Sequence, residues 1–417
     1  MGLRRRPVGG LDAAVNSRRS EETLPDPAPS RLCPVCGSPS HELLYRQEFE
    51  SFRHGSIGDG YDVVACDACG ACFASGLPDQ QRFDQYYADA SKYDLSAEGA
   101  ALSALDLQRY ADQAAFVAAN VLQRDTPVLD VGTATGAFLQ ALRAEGFTRP
   151  YGVDPSPDAV RVARDNGLEV AVGGLDAAEA WGHEFGLVSY VAVLEHVLES
   201  RALVRATSRL LRHGGHIFVS VPDAGSIKDH VDAPFQEFSV EHINYFTRRS
   251  LANTMASEGY SLVAERTVVL PLGTDGRGPA LEAVYRWDGV VRPLQRDESG
   301  ADDVREYIRR CARAEASTLD RIAGLASSGE RIYVWGTGTH TLHLLRTSRL
   351  GECRIEAFID SNPHYAGTTL AGRPVVAPSA LQGVDAPILV SSAVSQSGIA
   401  AAARERFGQD VQLVLLY

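Results

Sequence analysis

The stretch PVLDVGTATGAFLQALRAEG, residues 127–146, decides the fold. A mostly apolar run, residues 128–131, enters Gly132-x-x-x-Gly136 and is followed by apolar residues at helical spacing. That order of strand, tight turn and helix is the repeating unit of a doubly wound α/β sheet. Glycine serves where the backbone must approach a ligand, and a helix opening at such a turn presents N–H groups without intrahelical partners. The spacing differs from the Gly-x-Gly-x-x-Gly of dinucleotide folds. One βα unit later, PYGVDPS (residues 150–156) ends a second strand in Asp154, placed to accept two ribose hydroxyls.

Asp130, Gly132 with Thr133, Gly136 and Asp154 resemble the first two motifs of the class I S-adenosylmethionine-dependent methyltransferases. Downstream, FGLVSYVAVLEHV (residues 185–197) resembles that fold's fourth strand, which ends under the methionine part of the cofactor, so Leu194 joins the cofactor set. LLRHGGHIFVSVPD (residues 210–223) resembles its fifth strand. The same resemblance sets Leu175 and Asp176 beside the adenine. Glu195 and His196 of LEHV stand at the strand end, with capping and chemistry both open to them.

Toward the N-terminus, CPVCG and CDACG give Cys33-x-x-Cys36 and Cys66-x-x-Cys69. Two such turns aim four thiolates at one point and predict a closed tetrahedral zinc site that stabilises the fold and leaves no open catalytic position. Cys72 adds a third Cys-x-x-Cys step with Cys69, but four ligands suffice, and an apolar position is expected for it. Between the knuckles, HELLYRQEFESF and YDVVAC alternate as short strands of a zinc ribbon. Toward the C-terminus, RWDGVVRPLQRDESGADD (residues 286–303) reads as a linker, followed by a helix from Val304 to about Leu325. RIYVWGTGTHTLHLLR and CRIEAFIDSNP then repeat the strand, glycine turn, helix and acidic strand end, with Gly336, Gly338 and Asp360 as ligand candidates. Asp360 also suits a turn cap with Asn362 and Pro363.

From about Arg31 on, this order of units is similar to the three-domain C-methyltransferases of deoxysugar biosynthesis, which act on carbon 3 of nucleotide-linked 4-keto-6-deoxysugars. The expected organisation is a disordered leader (1–30), a zinc-binding domain (31–95), the methyltransferase domain (96–290) and a C-terminal Rossmann-like domain (291–417). In SVEHINYF (residues 239–246), Glu241 and His242 match that family's Tyr-x-Glu-His motif, and Tyr245 stands close by as a third catalytic candidate. The family's tyrosine is Ser239 here. Its N-terminal tyrosine segment is matched by YYADASKY through Tyr86, Tyr87 and Tyr93, of which Tyr87 and Tyr93 stand as substrate candidates beside Ser239. The resemblance also implies that Gly336, Gly338 and Asp360 help hold a sugar nucleotide. Small residues and a lysine usually continue the C-terminal turn, where this chain has Thr339, His340 and Thr341. The usual Lys-Gln-Gly has become Tyr365, Ala366 and Gly367.

Methylation of carbon beside a ketone needs a base for the carbon-bound proton. His242, with an intrinsic pKa of about 6.5, suits that role, and Glu241 could orient it. Oxygen methylation needs the same base and alignment, and a non-catalytic nucleotide-sugar binder is the alternative outside enzymes. With 40 basic against 53 acidic residues the chain suits no phosphate-backbone partner. No apolar run is long enough for a membrane helix. The expectation is a cytoplasmic protein, a monomer or weak dimer, acting on a small molecule.

Overall fold

The structure, a computed structural model, describes residues 31–51, 58–89, 102–362 and 365–417. Tyr93 and the leader, residues 1–30, lie outside the described residues.

The N-terminal unit has three antiparallel strands, β1 (His41–Glu48), β2 (Gly60–Cys66) and β3 (Cys72–Ser75). One cysteine turn precedes β1 and the other joins β2 to β3, so the folding of the sheet brings the two turns together. The central unit follows a helix, Ala104–Asn120, started by the Ser103 hydroxyl accepting the Asp106 N–H. Its strands are β4 (Pro127–Val131), β5 (Arg149–Asp154), β6 (Glu169–Val172), β7 (Phe185–Val191) and β8 (Leu211–Pro222). After the two-residue β9 (Asn244–Tyr245) come β10 (Tyr260–Leu272) and β11 (Gly276–Trp287). The seven-stranded sheet runs β6-β5-β4-β7-β8-β11-β10. Strands β4 to β8 pair in parallel, and β11 is antiparallel to both β8 and β10. Strands such as β7, FGLVSYV, are buried along nearly their whole length, as expected of a sheet covered on both faces. The chain leaves β4 for β5 and β6 on one side and returns to β7 on the other. In such a sheet the crevice beyond the carboxyl ends of the strands at this reversal is where ligands bind.

β9 does not join this sheet. It pairs with β3, matching Cys72 to Tyr245 and Phe73 to Asn244, so the central unit supplies the fourth strand of the N-terminal sheet.

The third unit holds β12 (Arg331–Trp335), β13 (Arg354–Ile359), β14 (Thr369–Leu370), β15 (Arg373–Val376), β16 (Ile388–Val390) and β17 (Leu413–Leu415), in the order β14-β15-β13-β12-β16-β17. Its leading helix is longer than the periodicity predicts, Gly300–Ser328, and stops at Gly329 in the left-handed conformation. The Asp297 carboxylate accepts the N–H groups of Ser299 and Gly300, and Asp302 and Asp303 suit the first turn, so the helix starts before Val304. The preceding linker is held rather than loose. The Asp297 N–H donates to the Cys69 carbonyl at 2.8 Å. A Cβ on Gly70 would lie 2.1 Å from the Asp297 carbonyl oxygen, which is why glycine follows the second knuckle. Among the described residues no helix is long and apolar enough to cross a membrane.

Candidate active site

Cys33, Cys36, Cys66 and Cys69 place their four sulfurs within 4.8 Å of one another. Two of the edges measure 3.6 Å (Cys33 to Cys69) and 3.5 Å (Cys36 to Cys66). A tetrahedron with metal–sulfur bonds of about 2.3 Å has edges of about 3.8 Å, so the donor set fits zinc. Cys72 lies outside this group, buried in the apolar core.

At the crevice, β4 delivers Gly132 (φ 74°) and Gly136 (φ 82°). A Cβ on Gly132 would sit 2.7 Å from a Val193 methyl, and one on Gly136 would sit 2.1 Å from a Leu168 methyl. Gly136 caps the helix Ala137–Ala144 with no side-chain bond, which leaves its first amides for a ligand. Two of the residues at this crevice are alanines in the strained left-handed region, Ala134 (φ 47°) in the glycine turn and Ala192 (φ 55°) at the end of β7, a kind of strain that concentrates at ligand sites. Asp154, expected to be open to ribose, already accepts the N–H groups of Ala134 and Ser156, each at 2.8 Å. One carboxylate oxygen takes each, so a second lone pair on each remains for a hydroxyl. Asp130 is buried under the turn, where the Ser189 hydroxyl donates to it at 2.6 Å, and burial pushes its carboxyl up to about 7. Thr133 is buried beside Gly152. Leu175 and Asp176 open the short helix Leu175–Glu179 after β6. Leu194 departs from expectation, because its side chain is wholly buried in the core. Ala192 and Val193 are the accessible residues at that strand end.

The acid–base turn follows β8. The Ser239 hydroxyl accepts the N–H groups of Glu241 (3.3 Å) and His242 (3.1 Å), so this buried serine shapes the turn instead of facing a substrate. Its carbonyl accepts the Tyr61 hydroxyl at 2.7 Å. Tyr245 is displaced from the chemistry too, being buried with its hydroxyl donating to that of Tyr61 at 3.1 Å. Tyr86, next to the expected Tyr87 on the helix Gln80–Asp89, donates to Glu241 Oε1 at 2.8 Å. His196 belongs to this cluster. Its Nδ1 lies 3.1 Å from the Glu241 carbonyl, and its ring centroid is 5.0 Å from that of His242. Glu195 Oε1 is 3.9 Å from His196 Nε2. Both were on view in the sequence, His196 in LEHV and Tyr86 in the matched tyrosine segment.

The N-terminal unit braces this cluster. Arg31 donates to the carbonyls of Ala74, Ile243, Val197 and Leu198 and to the Asn244 side chain, with its guanidinium 5.7 Å from the Phe73 ring centre. Asn244 in turn donates to the carbonyls of Leu194 and Val197, and the Ile243 N–H donates to the Glu195 carbonyl. The segments on either side of His196 and His242 are thereby tied to one edge strand.

In the third unit Asp360 repeats the arrangement of Asp154. It accepts the Thr337 N–H at 2.9 Å and the Asn362 N–H at 2.8 Å, together with the Thr337 hydroxyl. Gly336 (φ 110°), Gly338 and Asp360 line a cleft of about 440 Å³, and Gln236, from the segment that leads to Glu241 and His242, lines it as well. His340 also lines it, with its Nε2 against the Tyr417 hydroxyl. Burial holds the His340 imidazole down to about 3. An unfolded histidine takes up its proton near pH 6.5, so the unfolded state binds more protons between pH 6.5 and 3 and stability falls as pH falls through that window. His340→Gln should remove this loss, worth about 2 kcal/mol at pH 5, in denaturant unfolding compared at pH 7 and 5.

Residues 103–265 match the family described as Methyltransferase domain. The chain is 33% identical over 157 residues to the ubiquinone biosynthesis O-methyltransferase of Xanthomonas oryzae pv. oryzae, covering 35% of this chain and 63% of that protein. It is 37% identical over 100 residues to the protein of the same name from Thiobacillus denitrificans, covering 22% and 43%. The chain thus spans less than two thirds of the length of these curated relatives. Among solved structures it is similar to magnesium protoporphyrin IX methyltransferase from Synechocystis PCC 6803 with bound S-adenosylmethionine, at 16% identity and a TM-score of 0.36, covering 50% of this chain and 97% of that one. The strand order, the glycine turn and the family match together define a class I methyltransferase fold. The domain so defined is S-adenosylmethionine-dependent.

Proposed function

We propose that the protein transfers a methyl group from S-adenosylmethionine to carbon beside the ketone of a nucleotide-linked deoxysugar. The observation that carries this reading is the convergence of Glu241, His242 and His196 in a turn whose approach segment also lines the C-terminal cleft through Gln236. A nucleotide in that cleft would put its sugar on the segment carrying the base. When bound, the cofactor supplies an electrophilic methyl group; the glycine turn, the strained Ala134 and Ala192, and Asp154 are the residues suited to hold it. His242 takes up the carbon-bound proton, leaving an enolate, and Glu241, fixed by Tyr86, meets a sugar hydroxyl. The cleft and the cluster keep donor and acceptor aligned, which supplies much of the remaining rate. A second reading, transfer to oxygen, is favoured by the names of the curated relatives and uses the same base.

The test is mass spectrometry of the protein incubated with S-adenosylmethionine and a panel of nucleotide 4-keto-6-deoxysugars, with a gain of one methyl group expected. Fragmentation then assigns it to carbon or oxygen. No gain on any sugar would sink the acceptor assignment. Calorimetry with S-adenosylmethionine tests the cofactor half separately: saturable binding in the micromolar range is expected, weakened about 10²-fold or more by Asp154→Ala.

A further inference from the structure

We propose that Thr274 and Asp275, at the tip of the β10–β11 hairpin, are positioning residues for the acceptor. They cap a helix of the C-terminal unit in place of its own serine and so set one wall of the cleft. The inference rests on the reading that this cleft holds the acceptor's nucleotide.

The hairpin outruns the sheet it belongs to. β11 pairs with β8 only from Ala280, opposite Pro222, onward, while its pairing with β10 extends to Gly276 opposite Leu272. Because β8 ends at Pro222 and β11 is antiparallel to it, the extra ribbon, residues 269–279, projects beyond the carboxyl end of β8. That is the side on which the cofactor crevice opens. On its way the ribbon passes the approach segment, where a Cβ on Gly278 would lie 3.4 Å from Glu237 Oε1.

The tip lands on residues 394–398. The Asp275 N–H donates to the Val394 carbonyl at 3.0 Å. A Cβ on Gly273 (φ 63°) would lie 2.2 Å from that same oxygen, so only glycine lets the turn come this close. The helix that starts here, Gln396–Phe407, has Ser395 at its N-cap, yet that serine makes no cap bond. A capping serine ordinarily accepts the second or third amide of its helix. Those amides belong to Ser397 and Gly398, and the hairpin takes both. The Ser397 N–H donates to Asp275 Oδ2 at 2.8 Å, and the Gly398 N–H donates to the Thr274 hydroxyl at 3.4 Å. The Thr274 hydroxyl donates in turn to Asp275 Oδ2 at 2.7 Å, which fixes the carboxylate. The cap is thus supplied by the methyltransferase unit, with a carboxylate at the positive end of the helix.

The helix start held in this way is part of the cleft. Val394, Ser395 and Ile399 line it together with Gly336, Gly338 and Asp360. Helix ends without a cap fray. Capped from the hairpin, this wall keeps a fixed place relative to the sheet that carries the methyl donor, and the acceptor meets a formed site.

The test sets Asp275→Ala beside Asp275→Asn in the full chain, because asparagine caps a helix about as well as aspartate and alanine does not. Hydrogen exchange of the segment 394–399, read by mass spectrometry, should be about 5-fold faster in Asp275→Ala and unchanged in Asp275→Asn. Calorimetry on the chain loaded with S-adenosylhomocysteine uses the diphosphates of thymidine, uridine, guanosine, cytidine and adenosine as probes. The affinity of the tightest should fall about 5-fold in Asp275→Ala and return in Asp275→Asn, with the affinity for S-adenosylmethionine the same in all three proteins. A general loosening of the chain would weaken both ligands together. Unchanged exchange in Asp275→Ala overturns the cap. Unchanged diphosphate affinity in Asp275→Ala, or a loss that Asp275→Asn does not restore, overturns the positioning role while leaving the cleft reading in place. Absence of diphosphate binding in the wild type sinks the cleft reading, and this proposal falls with it.

Discussion

His242→Asn should lower kcat by about 10² to 10⁴-fold while S-adenosylmethionine binding is unchanged. Asparagine keeps a polar group of similar reach but cannot take up a proton at neutral pH, so the loss isolates base catalysis from packing. Cofactor affinity survives because the glycine turn, Ala134 and Asp154 belong to β4 and β5 and take no support from residue 242. Glu241→Gln should also depress turnover, by a smaller factor, because the amide still meets the Tyr86 hydroxyl but carries no charge. Single-turnover rates with the sugar identified by mass spectrometry, set beside calorimetry, make the comparison. Normal methylation by both variants would remove the pair from the mechanism.

Cys36→Ser should cost the N-terminal unit its metal and loosen its cysteine turns. The apolar cluster around the thiols is small, formed by Val35, Val64, Ala71 and Phe73 with the cysteines themselves, so this face of the sheet leans on the bound ion, while the other face joins the larger core through Tyr61, Val63 and Ala74. The wild type should bind one zinc per chain by elemental analysis, and the variant should bind it weakly and be cleaved early in limited proteolysis. The effect should reach the chemistry, since β3 pairs with the strand that follows His242. Methyl transfer should collapse with the metal while calorimetry still reports cofactor binding. A variant that is protease-resistant and fully active would show the thiols to be ordinary buried cysteines.

The central fold was legible because strand and helix periods alternate and because glycine stands where β4 must turn sharply. The class of cofactor followed from Gly132, Gly136 and Asp154 in that order. What sequence could not supply was orientation. Leu194 and its neighbours Ala192 and Val193 are all small or apolar, and which of them is accessible depends on how β7 ends, with Ala192 forced into a left-handed turn. Tyr86 stands in a run of tyrosines, and only the packing of its helix shows that its hydroxyl reaches Glu241. Ser239 looked like a lost substrate contact because its position matches a tyrosine elsewhere, yet a serine hydroxyl is the right length to accept two nearby amides. The pairing of β9 with β3 rests on two residues, too few for any periodic signal. Tertiary contacts decided each of these cases.

Arg31 has a consequence for how the molecule comes to be active. It reaches the Ile243 carbonyl across 212 residues of sequence, whereas the cofactor crevice is built from one contiguous run of strands and helices. Closing so long a loop costs entropy that local contacts do not repay, so such contacts form slowly and late. The N-terminal sheet remains one strand short until the chain has been made as far as Tyr245. Catalytic competence is therefore among the last properties the folding chain acquires, after the ability to bind its methyl donor.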